Sequence, residues 1–124
     1  SLRGCIGTIL PVQDSLEREI MTNAVSASTR DPRFPPMSAR ELDNVTISVD
    51  VLGAPEEVRE GMELDPKIWG VIVSKDGQRG LLLPDLPGVN SVERQIAIAA
   101  QKAGIRDLEG ARFERFTVSR YHEE

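Results

Sequence analysis

Apolar and polar residues alternate along the first ten positions, with Leu2, Ile6, Thr8 and Leu10 on one face and Arg3, Cys5, Gly7 and Ile9 on the other. A period of two predicts a strand over residues 2–10, closed by Pro11. The period then lengthens: Leu16, Ile20, Ala24 and Ala27 recur at helical spacing until Pro32, which predicts a helix over about residues 15–30. Asp14 followed by Glu17 has the form of a capping box at its start.

The stretch "TRDPRFPPMSAREL" reads as a connector in which Pro32, Pro35 and Pro36 hold the backbone extended, with Ser38 to Glu41 capping one short helical turn. In "NVTISVDVL", Val45, Ile47, Val49 and Val51 alternate against Thr46, Ser48 and Asp50, the pattern of a half-buried strand. A polar segment from Gly53 to Pro66 leads into "IWGVIVSKDGQRGLLLPDL", where two apolar runs flank Asp76-Gly77. That dipeptide supplies the positive backbone angles of a tight hairpin turn. Asn90 or Ser91 caps a second helix with Val92, Ile96, Ala99, Ala100 and Ala103 as its apolar stripe and Gly104 beyond its end. "ARFERFTVSRY" reads as one last strand.

The predicted order is strand, helix, strand, hairpin, helix, strand, without repeat or low-complexity linker. Hairpin connectivity favours α+β with a largely antiparallel sheet. A length of 124 residues fits a single domain over 1–124. The opening strand has no preceding partner, so the domain is expected to begin earlier.

Composition narrows the function classes. A net charge of -5 works against generic attraction to nucleic acid. No apolar run approaches the roughly 20 residues of a membrane span, and a single cysteine with no signal peptide in view points to a reducing cytoplasm. Cys5 and His122 are the sole cysteine and histidine, a poor basis for a transition-metal site. No phosphate-binding loop and no dinucleotide fingerprint is present, and no cofactor is expected.

The candidate chemistry centres on Cys5, which lies between Gly4 and Gly7. Glycine is costly in a strand. One reading holds that the glycines clear space around a thiol for a substrate or partner backbone, with Arg3 favouring thiolate or binding an anion. The other makes Cys5 a small buried hydrophobe. His122 and Asp31 are candidates for proton transfer to Cys5, although His122 lies near the end of the sequence, where solvated side chains are the rule. Arg30, Asp31 and Arg33 form either an anion-binding loop or an ion-paired connector capping the helix. Leu81, Leu82 and Leu83 read as core, while Arg79 and Asp85 beside them serve turn chemistry or edge a site.

With "LRGCIGT", "RDPRFPP", "ISVDVL", "ELDP", "WGVIV", "RGLLLPDL" and "RYHE" in that order, the chain resembles the AMMECR domain family over essentially all 124 residues. The resemblance implies an α+β fold of a larger and a smaller subdomain, in a domain near 200 residues of which this chain is the C-terminal two-thirds, lacking an N-terminal helix and the strand that would pair with "SLRGCIG". An unpaired edge so exposed predicts instability or association, homo-oligomers included. The family's functional positions carry over to Leu2, Arg3, Gly4, Cys5, Ile6 and Gly7, beside a groove. In prokaryotes the family travels with a Memo-like protein related to extradiol dioxygenases and with a radical SAM protein, in the set called AmmeMemoRadiSam, in cis or in trans. No reaction is assigned to the family, and fold does not supply one. The glycine-flanked thiol within that family frame points to binding or cysteine-based catalysis at this strand, with an interaction module and an RNA-processing regulator as rivals.

Overall fold

In the computed structural model, which describes residues 2–123, the chain forms two compact units, Ser1–Val49 with Tyr121–Glu124, and Asp50–Arg120. The α+β reading holds: helices combine with a sheet whose assigned pairings are antiparallel.

The first unit is built on helix α1, Leu16–Thr29. Its N-cap is Ser15, whose hydroxyl accepts the N–H of Arg18 at 3.2 Å. The expected Asp14–Glu17 box does not form, because Ser15 takes the extended cap conformation and Asp14 instead faces Arg18 one turn on, at 3.5 Å. At the other end the N–H of Arg30 bonds the carbonyl of Ser26, and Pro32 follows. A 3-10 helix, Ala39–Asn44, forms where Ser38 and Glu41 place a turn.

Residues 2–10 do not form the expected strand. Alternation reports which faces differ, but a strand exists only where a second backbone accepts its hydrogen bonds. Here side chains hold the segment and its continuation at a few points instead. Asp31 binds the N–H of Cys5, and the Glu19 carboxylate takes the Thr8 hydroxyl and the N–H groups of Val12 and Gln13. Leu2, Ile6 and Leu10 are left exposed.

The second unit carries a four-stranded sheet in the order β2-β5-β3-β4, formed by β2 (Glu56–Glu57), β3 (Gly70–Lys75), β4 (Gln78–Leu82) and β5 (Arg112–Phe116). The β3–β4 hairpin turns at Asp76 and Gly77, with φ of 51° and 80°, as the dipeptide predicts. Helix α2, Val92–Ala103, starts at Ser91 and stops at Gly104 in the left-handed conformation. It packs on the sheet over Val71, Val73 and Leu82, with Ala99 and Ala100 as its buried small residues. The approach is close enough that a Cβ on Gly80 would sit 2.0 Å from the Ala99 carbonyl oxygen. Of the three leucines read as core, Leu82 is buried, whereas Leu81 and Leu83 are half-buried. Gln95, the one polar residue of α2 that is fully buried, donates to the carbonyl of Trp69 at 2.8 Å.

Two further expectations are corrected. The strand expected to begin near Asn44 begins later, as β1 at Ser48–Leu52. The last strand is two, β5 and then β6 (Val118–His122), which belong to different sheets, β6 pairing with β1. The chain breaks at Thr117, whose carbonyl takes the N–H of Gly53 at 2.7 Å instead of continuing the ladder.

Candidate functional site

Pro32 ends α1 and leaves Asp31 as a pivot. Its carboxylate accepts the N–H of Arg33 at 3.0 Å, the two-residue turn that aspartate makes with its own backbone. The same turn folds the Arg33 guanidinium back onto it, with Nε 3.0 Å from Oδ1 and Nη2 2.7 Å from Oδ2. Oδ2 also accepts the N–H of Cys5 at 3.0 Å, and Arg33 Nη2 reaches the Cys5 carbonyl at 3.4 Å. Asp31 is buried, with 4% of its surface accessible, while Arg33 stays exposed. Hydrogen bonds from the Arg33 side chain, then from the Cys5 and Arg33 backbone, hold its carboxyl well below the usual carboxylate range. The same contact raises Arg33.

A second clasp stands beside it. Arg3 Nε lies 2.8 Å from Glu41, and Arg3 Nη2 donates to the Pro35 carbonyl at 2.9 Å. The Arg3 bond pulls Glu41 down in pKa. The guanidinium carbons of Arg3 and Arg33 stand 5.9 and 5.4 Å from the centroid of Phe34, within range of cation–π attraction.

Cys5 is exposed and free. The glycines on either side differ. A Cβ on Gly4 would fall 2.1 Å from the Ala27 carbonyl oxygen, so Gly4 lets the segment lie directly on the α1 backbone. Gly7 meets nothing within 4 Å. Leu2 and Ile6 are exposed, and Arg30 is exposed at the C-cap of α1. His122 is exposed on β6, and among the described residues no hydrogen bond joins it to Cys5. The structure thus brings Arg3, Gly4, Cys5, Asp31 and Arg33 together, and does not join His122 to them by any bond. Among the described residues no cluster of three metal-ligating side chains occurs, and no helix is long and apolar enough to cross a membrane.

Sequence reasoning missed Glu41, Phe34 and Glu19. Glu41 read only as a cap, and its ion pair with Arg3 spans 38 residues, beyond any local pattern. Asp85 settles as turn chemistry, with φ of 58°.

The family model of AMMECR1 matches residues 1–124. The chain belongs to the AMMECR1 family. A Thermotoga maritima relative is 56% identical over 122 residues, covering 98% of this chain and 70% of its own length. A Clostridium acetobutylicum relative is 50% identical over 98% of this chain, which spans only 26% of that protein. The crystal structure of an uncharacterised protein from Pyrococcus horikoshii matches with a TM-score of 0.87 at 32% identity, covering 98% of this chain and 65% of its own. Within this AMMECR1 chain, the Glu41 and Asp31 clasps fasten Arg3 and Cys5 of the "LRGCIG" segment that carries the resemblance.

Proposed function

We propose that this AMMECR1-family chain works in the AmmeMemoRadiSam modification pathway, with a Memo-like protein and a radical SAM protein as partners, and engages its partner or substrate through the Leu2–Gly7 segment. The Asp31 clasp carries the reading: a buried carboxylate and a guanidinium spend their bonds on the Cys5 backbone and so present an exposed thiol between exposed Leu2 and Ile6. A segment ordered before it binds loses less entropy on binding. The Clostridium relative, of which this chain spans 26%, supports action beside a further polypeptide in cis.

The geometry favours binding over catalysis. Asp31 is committed to Cys5 and Arg33, and among the described residues His122 makes no bond to Cys5, so neither stands as a base beside the thiol. The catalytic reading keeps Cys5 as nucleophile and rests on its exposure beside the Arg33 guanidinium. A nucleic-acid surface along Arg3, Arg30, Arg33 and Arg40 is weakened because Arg3 and Arg33 are paired with carboxylates.

The test mixes the purified chain with the Memo-like and radical SAM proteins of the same genome and measures complex mass by size exclusion with light scattering. Wild type and Cys5→Ser are expected to form the complex, and the double variant Leu2→Asp, Ile6→Asp to lose it. Absence of any complex with wild type defeats the reading. Loss of product with Cys5→Ser while the complex survives moves the assignment to catalysis.

A further inference from the structure

The second unit has a polar groove of about 510 Å³ at the open end of its sheet, lined by Ser74, Lys75, Arg79, Gly110, Arg112 and Glu114, with the hairpin turn as one wall. Strand register fixes what faces it. Ser74 pairs with Arg79 on β4 and with Arg112 on β5, so the three residues form one row across adjacent strands on the same sheet face. Two long cationic side chains therefore flank a hydroxyl.

These arginines differ from the chain's structural ones. Arg33, Arg115 and Arg120 each hold a carboxylate at 2.7 Å, the length of a charge-assisted hydrogen bond. Arg79 stands 3.4 Å from Glu114, and Arg112 stands 3.9 Å from Glu57 with 72% of its side chain exposed. Both contacts are longer than those three, so Arg79 and Arg112 are the more loosely held. The groove carries three cations, Lys75, Arg79 and Arg112, against the carboxylates of Asp76 and Glu114, in a chain whose net charge is -5. Lys75 is anchored through the Asp107 carbonyl at 2.7 Å, which leaves the two arginines as the adaptable donors.

We infer that the Arg79–Ser74–Arg112 row is a binding site for a phosphate-type dianion. Planar guanidinium forks match tetrahedral oxyanions from two sides, and the Ser74 hydroxyl offers a third donor from the sheet. Glu114 is the internal competitor that holds Arg79 when the site is empty. The phosphate comes either as the free ion or on a small organic molecule, and both use the same donors.

The test titrates the protein at low ionic strength with inorganic phosphate, glycerol phosphate and succinate, following amide resonances of Ser74, Lys75, Arg79 and Gly110. Saturable shifts confined to these residues are expected with the phosphates. The double variant Arg79→Gln, Arg112→Gln is expected to bind about tenfold more weakly or worse, having lost two charge-assisted contacts. Glu114→Gln frees Arg79 and is expected to bind several-fold more tightly, a gain that no folding defect would mimic. Tighter binding of glycerol phosphate identifies an organic phosphate as the source, and preference for the inorganic ion identifies free phosphate. Linear, unsaturated shifts, equal binding of succinate, unchanged affinity in the arginine double variant, or no gain with Glu114→Gln would each overturn the assignment.

Discussion

The carboxylate of Asp31 accepts the backbone N–H of Cys5 at 3.0 Å across 26 residues of sequence. One buried side chain thereby links the end of a helix to the segment that carries the chain's only thiol. Because Arg33 neutralises the carboxylate on the same two oxygens, the charge is tolerated where a lone buried carboxylate would not be.

The clasp makes the first unit sensitive to acid. Asp31 is lowered from its ordinary value of 3.8, so the unfolded chain takes up its proton first. Stability from this group is complete above about pH 4 and is lost as the pH falls toward the folded value. Glu41 and Glu19, lowered by bonds from Arg3 and from Thr8, act with the same sign. Protection of the Cys5 amide against hydrogen exchange is expected to fall below pH 4 in wild type. Asp31→Asn should lose that protection at neutral pH and lose its pH dependence; an Asp31→Asn variant with wild-type protection would show that the clasp does not hold the segment.

Gly4 and Gly7 are predicted to differ. Gly4→Ala forces a methyl onto the Ala27 carbonyl, at a cost of about 1–3 kcal/mol. Gly7→Ala points into open space and should stay within about 0.5 kcal/mol of wild type. Urea denaturation of both variants separates a packing role from a shared one, and equal losses would contradict the contact geometry.

In the second unit, Gly80→Ala should push α2 off β4 and cost about 1–3 kcal/mol, since the obstructing atom is backbone. Phe116→Ala, at 1% accessible surface, should cost about 3–5 kcal/mol. Thermal unfolding measures both.

Hydrogen exchange should rank the elements. Every buried apolar residue among those described lies between Asp50 and Arg120, whereas α1 has no buried residue. Amides of β3, β5 and α2 are expected to exchange slowest and those of α1 at least about tenfold faster. Uniform protection would contradict this division.

The Cys5 thiol should alkylate in the native protein at a rate comparable to that in urea, because it is exposed. A thiol inert until unfolding would show that it is covered in solution.

Local chemistry wrote much of this fold legibly. The α1 and α2 periodicities, the Asp76-Gly77 turn and the Gly104 stop depend on residues within a few positions of one another, so the sequence by itself determined those elements and the α+β class. Family membership was legible for a similar reason, since "LRGCIG" and "RDPRFPP" stand as contiguous blocks. Residues 2–10 misled because alternation is only half of a strand; the other half is a partner backbone, and here the Asp31 carboxylate holds the N–H of Cys5 instead. Tertiary structure alone decided that Gly4 is a contact point with Ala27, that Arg3 belongs to Glu41, that "ARFERFTVSRY" divides at Thr117 between two sheets, and that Arg79, Ser74 and Arg112 share one row. Those facts depend on which distant segments the folded backbone brings within 3 Å or 5 Å of each other, and no period in the sequence encodes a distance of that kind.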